Sequence, residues 1–257
     1  MILVIDIGNS NVVGCLYNKE KFDNDSNWLE LMRVKTDITK HYFHWLFDVN
    51  YYISEQSDNI DTIILCSVVP ELNENIIRIC KELFNITPFF VDYRAYKNLP
   101  IKIPQPRIIG ADLVGNAFAG YNRSPGGCII ADFGTVLTFT TIHNNEIKGV
   151  TFVPGLRTAM RSLSDKTAQL PMINMEAPKH VIGKNTAEAI NSGIFFGYSG
   201  LVDRIIERIF EEEKNELKVY STGGLGGILL PYCKTKIEFD LHFTVDGIRQ
   251  IYEYNVK

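Results

Sequence analysis

Two stretches of this chain are written to one plan. Ile2-Leu3-Val4-Ile5-Asp6-Ile7-Gly8-Asn9 and Cys128-Ile129-Ile130-Ala131-Asp132-Phe133-Gly134-Thr135 each read as an apolar strand, an aspartate, a large apolar residue, a glycine and a small polar residue. A second strand pattern and a polar turn follow each, Asn18-Lys19-Glu20 and Asn144-Asn145-Glu146, and the step from Asp to the first Asn of that turn is twelve residues in both. One Asp-x-Gly corner is an ordinary hairpin feature. Matched surroundings point to duplication of a supersecondary unit, and so to two look-alike halves facing each other across a cleft. A length of 257 residues suits two coupled halves better than two independent domains.

The corner motif has a chemistry of its own. Glycine lets the backbone turn tightly and approach a ligand, and successive amide N–H groups there suit phosphate oxygens. The side chains of Asn9, Ser10 and Asn11 add donors, and an aspartate at a strand end can hold a cation directly or through water. Phosphoryl transfer needs mostly positioning and charge neutralisation, which two such corners and a metal can supply. No G-x-x-x-x-G-K-[ST] and no strand-linked G-x-G-x-x-G is present, which excludes a P-loop and argues against a Rossmann cofactor site. The run Thr222-Gly223-Gly224-Leu225-Gly226-Gly227 after a strand could let a nucleoside approach the backbone. Gly110-Ala111-Asp112 opens a helix, where Asp112 serves either as a capping charge or as an acceptor of a substrate hydroxyl proton.

Periodicity predicts strands at 2–5, 12–17, 29–34, 62–67, 128–131, 137–142, 148–153 and 219–222, with 88–91 closing the first half. It predicts helices at 41–53, 70–84, 112–121, after Pro154-Gly155, at 186–213 and at 244–254, the last capped loosely by Thr244 and Asp246. The stretch 92–109, with three prolines, is the expected linker between halves 1–108 and 109–257. Net charge is −4, which argues against a general nucleic-acid binder, since such a protein normally shows a basic face. The five scattered cysteines read as buried free thiols. The apolar run after Met1 is too short for a leader core or a membrane span, so a reducing cytoplasm is the expected compartment. His41 and His44 read as surface or packing histidines, Glu211-Glu212-Glu213-Lys214 as a solvated helix end, and Phe195, Phe196 and Tyr198 as core or interface residues.

Taken in order along nearly the whole chain, these motifs resemble the type III pantothenate kinases of the actin-like and sugar-kinase superfamily. Asp6-Ile7-Gly8-Asn9-Ser10 is similar to the family's first phosphate motif and Asp132-Phe133-Gly134-Thr135 to its second. Cys66-Ser67-Val68-Val69-Pro70 resembles its S-S-V-V-P strand end. Pro154-Gly155 with Thr167-Ala168-Gln169-Leu170-Pro171 resembles its P-G…T-A-x-L-P segment. Asn185-Thr186 through Ser192-Gly193 resembles its N-T-x-x-A-[IL]-x-S-G helix start.

The resemblance implies an α/β chain of two ribonuclease-H-like halves, an actin-like ATPase fold with mixed sheets flanked by helices and an interdomain cleft. It implies ATP-dependent phosphorylation of pantothenate, the first step of coenzyme A biosynthesis. Asp6, Ile7, Gly8, Asn9, Ser10, Asn11, Val12 and Val13 would meet the ATP phosphates, with Mg²⁺ reached from Asp6, and Thr135 would touch ATP. Asp132 would hold a monovalent cation, K⁺ or NH₄⁺, and Asp112 would accept the substrate proton. Gly110, Ala111, Asp112, Leu113 and Thr186 would hold pantothenate, and a homodimer built through the second half is implied. Three positions depart from the family pattern: Leu113 stands for an arginine, Ile103 for a tyrosine, and Gly149-Val150 for a glycine pair. A fixed donor fork is lost with the arginine. The alternatives are a nucleotide-binding regulatory protein of the same ancestry and a two-metal nuclease of ribonuclease-H-like architecture.

Overall fold

The computed structural model describes residues 1–22, 26–166, 171 and 173–256. The chain forms two compact units, Met1–Ala119 with Thr244–Lys257, and Gly120–Phe243.

In the first unit, β1 (Ile2–Ile7), β2 (Asn11–Tyr17) and β3 (Trp28–Lys35) form an antiparallel meander. β4 (Thr62–Ser67) and β5 (Phe89–Phe90) extend it in parallel on the other side, giving the order β3-β2-β1-β4-β5. The connections between them are α1 (Tyr42–Ile53) and α2 (Pro70–Phe84). Pro70 occupies the start of α2, where its missing N–H costs nothing, and Asn85 closes the helix in the left-handed region at φ 56°. Leu72, Ile76, Ile79 and Cys80 recur at helical spacing and are buried with Leu3, Ile5, Ile7 and Trp45 in one core. α3 (Ala111–Arg123) starts in this unit, and α7 (Phe243–Asn255) returns to it. The two helices cross at glycines: a Cβ on Gly247 would lie 1.9 Å from the Gly115 carbonyl oxygen.

The second unit repeats the design. β6 (Gly127–Phe133), β7 (Val136–His143) and β8 (Glu146–Pro154) are antiparallel; β9 (Lys218–Thr222) and β10 (Glu238–Phe239) add parallel strands, in the order β10-β9-β6-β7-β8. Read from the meander side, the order and the strand directions match those of the first sheet. Even the irregularities correspond, since each second strand breaks register against the third, at Gly14/Cys15 and at Thr141/Ile142. Asn144 and Asn145, both with φ above 50°, make the β7–β8 connection a turn that fits the right-handed twist of the strands. α4 (Leu156–Lys166), α5 (Thr186–Glu213) and the short α6 (Gly226–Leu229) complete the unit. Their core gathers Phe133, Phe139, Phe195, Val202 and Ile206.

Most expected elements are present with ends moved by one or two residues, as fraying and capping dictate. The short α6, β10 and the 3₁₀ turns Ser54–Asn59 and Leu230–Tyr232 were not expected; they lack a full period of apolar residues. Asp246 lies in the first turn of α7, where its carboxylate accepts from Arg249 at 2.8 Å and from Gln250 at 2.7 Å. One reading needs correction. The end of α5 is solvated only in part, because Glu213 pairs with Nδ1 of His143 at 2.7 Å, both side chains being largely buried. Four of the five cysteines are buried, Cys233 is half-buried, and all are free thiols.

Candidate active site

The first corner runs from Asp6 at the end of β1 to Asn11 at the start of β2. Gly8 donates its N–H to the Asn11 carbonyl at 3.0 Å and closes the turn. Thr36, just past β3, locks it from outside: its hydroxyl donates to the Gly8 carbonyl at 2.6 Å and its N–H to the Ser10 carbonyl at 2.9 Å. That residue carried no signal in the sequence, because its role depends on β3 lying beside β2. Ile7 and Val12 are fully buried in the core, so only their backbone can serve a ligand. Asn9 is exposed, and Gly8, Ser10, Asn11 and Val13 are half-buried.

Asp6 lies across the strand pair from Cys66, on the face opposite that core. The Cys66 thiol is pushed well above its ordinary range by burial first, then by the charges of Asp6 and Asp112 and by a hydrogen bond with Asp6. Asp6 and Asp112 therefore act on one buried thiol, which stays neutral. The buried Tyr96 phenol is pushed up by burial, then by Cys66, Asp92 and Asp112. Cys66 and Tyr96 lie beside these carboxylates, a place the sequence reading did not give them. Cys66 was legible only as a buried thiol and as the first residue of the strand-end motif.

Asp112 sits in the first turn of α3. Burial raises its carboxyl above the ordinary value of 3.8, against the lowering effect of the Leu113 N–H, which donates to Oδ1 at 2.8 Å, and of its own amide. Gly110 lies so close that a Cβ there would fall 2.4 Å from Asp112 Oδ1. The Leu113 side chain is buried, at 7% exposure, and its backbone amide is what reaches the carboxylate. Ala111 is buried and Ile103 half-buried.

The second corner, in the second unit, packs more tightly. A Cβ on Gly155 would sit 2.3 Å from the Gly134 carbonyl oxygen, and Gly155 N–H and the Thr158 hydroxyl both donate to the Thr135 carbonyl, at 3.0 and 2.9 Å. Gly223, at φ +88°, lies on the Phe133 backbone, where a Cβ would meet three main-chain atoms at 2.7 Å. The glycine-rich run is thus largely a packing device. Gly226 is buried beneath Phe133 and Phe239; Gly224 is exposed, with nothing within 4 Å of an added Cβ. Thr135 is exposed and Asp132 half-buried.

Asp132 is flanked in register by Thr138 on β7 and Thr222 on β9, on one face of the sheet. Thr138 is 8% exposed, and its buried hydroxyl has no hydrogen-bond partner. A buried hydroxyl left over beside a carboxylate is an oxygen set that suits a cation. For Mg²⁺ the residues fit differently. Among the described residues no three His, Cys, Asp or Glu side chains form a metal-holding group. Asp6, at the end of β1, is the carboxylate from which Mg²⁺ would be reached beside the phosphates. His41 precedes α1 and His44 lies within it, their rings 6.3 Å apart.

Thr186 opens α5 and lines a pocket of about 690 Å³ with Leu163, Lys184, Asn185 and Ile190. The α5 N-terminus is boxed: the Glu188 N–H donates to Asn185 Oδ1 at 2.9 Å, while the Glu188 carboxylate accepts from Asn185 Nδ2 and the Lys184 N–H, both at 2.8 Å. Of the expected segment Thr167-Ala168-Gln169-Leu170-Pro171, residues 167–170 lie outside the described residues. Asp6, Asp112, Gly110, Ala111 and Leu113 fall in the first unit; Asp132, Thr135 and Thr186 fall in the second.

Three solved structures share this fold. A candidate Baf-family transcriptional activator from Campylobacter jejuni aligns at TM-score 0.59 and 19% identity, covering 99% of this chain and 98% of its own. MreB 5 of Spiroplasma citri, solved with AMPPNP, aligns at 0.52 and 12%, covering 99% and 96%. A candidate N-acetylglucosamine kinase from Porphyromonas gingivalis aligns at 0.51 and 14%, covering 100% of both chains. These likenesses show a shared fold, two mixed five-stranded sheets flanked by helices. In sequence, the type III pantothenate kinases of Pelobacter propionicus and Citrifermentans bemidjiense are 36% and 37% identical, each aligned over 99% of this chain and 100% of their own. The family model for type III pantothenate kinase matches residues 2–208. With both corners, the Gly-Ala-Asp helix start and this full-length identity in place, the chain belongs to the type III pantothenate kinase family.

Proposed function

We infer that the protein transfers the γ-phosphoryl group of ATP to the terminal hydroxyl of pantothenate, opening coenzyme A biosynthesis. The full-length identity to type III pantothenate kinases, with the family model over residues 2–208, carries this reading. Asp112 accepts the hydroxyl proton. Its burial keeps competing water away, and Gly110 leaves room for the carboxylate at its helix start. Gly110, Ala111, Leu113 and Thr186 hold pantothenate, while the Leu113 amide orients Asp112. The full-length identity to kinases favours catalysis over the regulatory protein that Leu113 suggested.

The amides and side chains from Ile7 to Val13 receive the ATP phosphates, and Thr135 touches the nucleotide. Mg²⁺, when bound with the phosphates near Asp6, neutralises their charge. The neutral Cys66 thiol avoids adding a third negative charge beside Asp6 and Asp112. Asp132, with Thr138 beside it, holds K⁺ or NH₄⁺. The free cysteines favour a reducing cytoplasm, and a homodimer through the second unit completes the proposal. No helix among the described residues is long and apolar enough to cross a membrane.

A coupled ADP-release assay with pantothenate and Mg²⁺ tests the reading. Turnover is expected with K⁺ or NH₄⁺ and should drop at least about tenfold when Na⁺ replaces them. Folded protein that binds ATP but leaves pantothenate untouched in K⁺ would instead identify the regulatory protein.

A further inference from the structure

The outer face of α1 is aromatic. Trp45, Val49 and Ile53 bury one side of the helix, while the opposite side presents Phe43 at 76% exposure, Phe47 at 66% and Tyr51 at 68%, with Tyr52 at 43% beside them. The first three are four residues apart, so they form one stripe about 12 Å long. Phe47 and Tyr51 stack with ring centroids 6.0 Å apart, and Tyr51 meets Tyr52 edge-on at 5.0 Å. Scattered exposed apolar residues need no explanation; a continuous exposed stripe of large rings marks a contact surface.

We propose that this stripe is a homotypic interface, in which α1 of one copy packs antiparallel on α1 of a second copy about a twofold axis at Phe47. Such an axis sets Phe43 of each copy against Tyr51 of the other, so that one patch complements itself, as twofold contacts require. The charge pattern favours a second copy. Within Tyr42–Ile53 the one charged side chain is Asp48, and Lys40 pairs with it at 2.7 Å, so two copies meet there without like-charge repulsion. A bilayer fits less well: interfacial helices carry Lys and Arg beside their apolar face, whereas α1 has neither and the chain is net −4. The four rings offer about 500 Å² per copy, about 1,000 Å² for the pair, which sits at the threshold for a specific contact and implies weak, concentration-dependent association.

This contact uses the first unit and is independent of the homodimer assigned to the second. Where both form, two different twofold contacts link copies beyond the dimer. Sedimentation velocity from about 1 to about 100 µM should show a mass-doubling step in the wild type that Phe47→Asp removes, with ADP release at low concentration unchanged. A second variant, Phe47→Cys with Cys233→Ser, leaves the exposed position 47 and four buried thiols. Mild oxidation should link it into a disulfide dimer through position 47. Identical mass distributions for wild type and Phe47→Asp overturn the proposal, as does failure of Phe47→Cys to cross-link. Phe47-dependent sedimentation with neutral phosphatidylcholine vesicles would overturn it in favour of a membrane contact.

Discussion

At the scale of the residue, Asp112 is held in tension. The α3 N-terminus and two backbone N–H groups favour its charge, and burial opposes it more strongly, so its carboxyl titrates above 3.8. The folded chain thus binds this proton more tightly than the unfolded chain does. Between 3.8 and the raised folded value, rising pH costs stability, and the cost persists above that value. Asp112→Asn carries no such cost. Its Tm should exceed the wild type's at pH 7, and the gap should close as pH falls to 3.8 and below; equal Tm values at both ends would contradict a desolvated carboxyl. A proton acceptor must be ionised, so wild-type turnover should fall on the acid side at a pH above the ordinary aspartate range. The variant should lose about 10²–10⁴-fold in kcat while still binding ATP.

Elements bring these residues to their places through glycine contacts that no local pattern announces. The crossing of α7 on α3 is the clearest case, because the helix bearing Asp112 rests backbone to backbone on Gly247. Gly247→Ala would drive a methyl group into the Gly115 carbonyl, an obstacle that no side-chain rotation relieves. Urea unfolding should show a loss of at least about 2–3 kcal/mol; an unchanged midpoint would mean that the helices can separate freely. The strands and long helices, by contrast, were legible in the sequence, since strand and helix periods are properties of the sequence itself. Both Asp-x-Gly corners were legible for the same reason. Thr36, Cys66, Tyr96 and Thr138 were not, because each acquires its role from a neighbour distant in the chain.

For the whole molecule, the consequential fact is that the first unit is discontinuous: it closes only when the chain returns at Thr244. α7 brings Val245, Ile248 and Ile251 back as buried side chains. Burial of three such residues is worth about 5–9 kcal/mol, comparable with the whole stability of an ordinary domain. A chain ended at Phe243 should therefore lose hydrogen-exchange protection in β1 and β4 while keeping it in β6 and β7. Native protection in β1 and β4 of that truncated chain would show that the first unit folds without its last helix.

The sequence by itself determined the duplicated strand–corner–strand unit, the helix and strand periods, and the family, because these are recorded in residue type and spacing. Only packing set Thr138 in register with Asp132, brought Asp6 and Asp112 to one neutral thiol, and turned the Leu113 N–H onto the Asp112 carboxylate. Those outcomes depend on register between strands and on burial, and both arise only when distant segments pack.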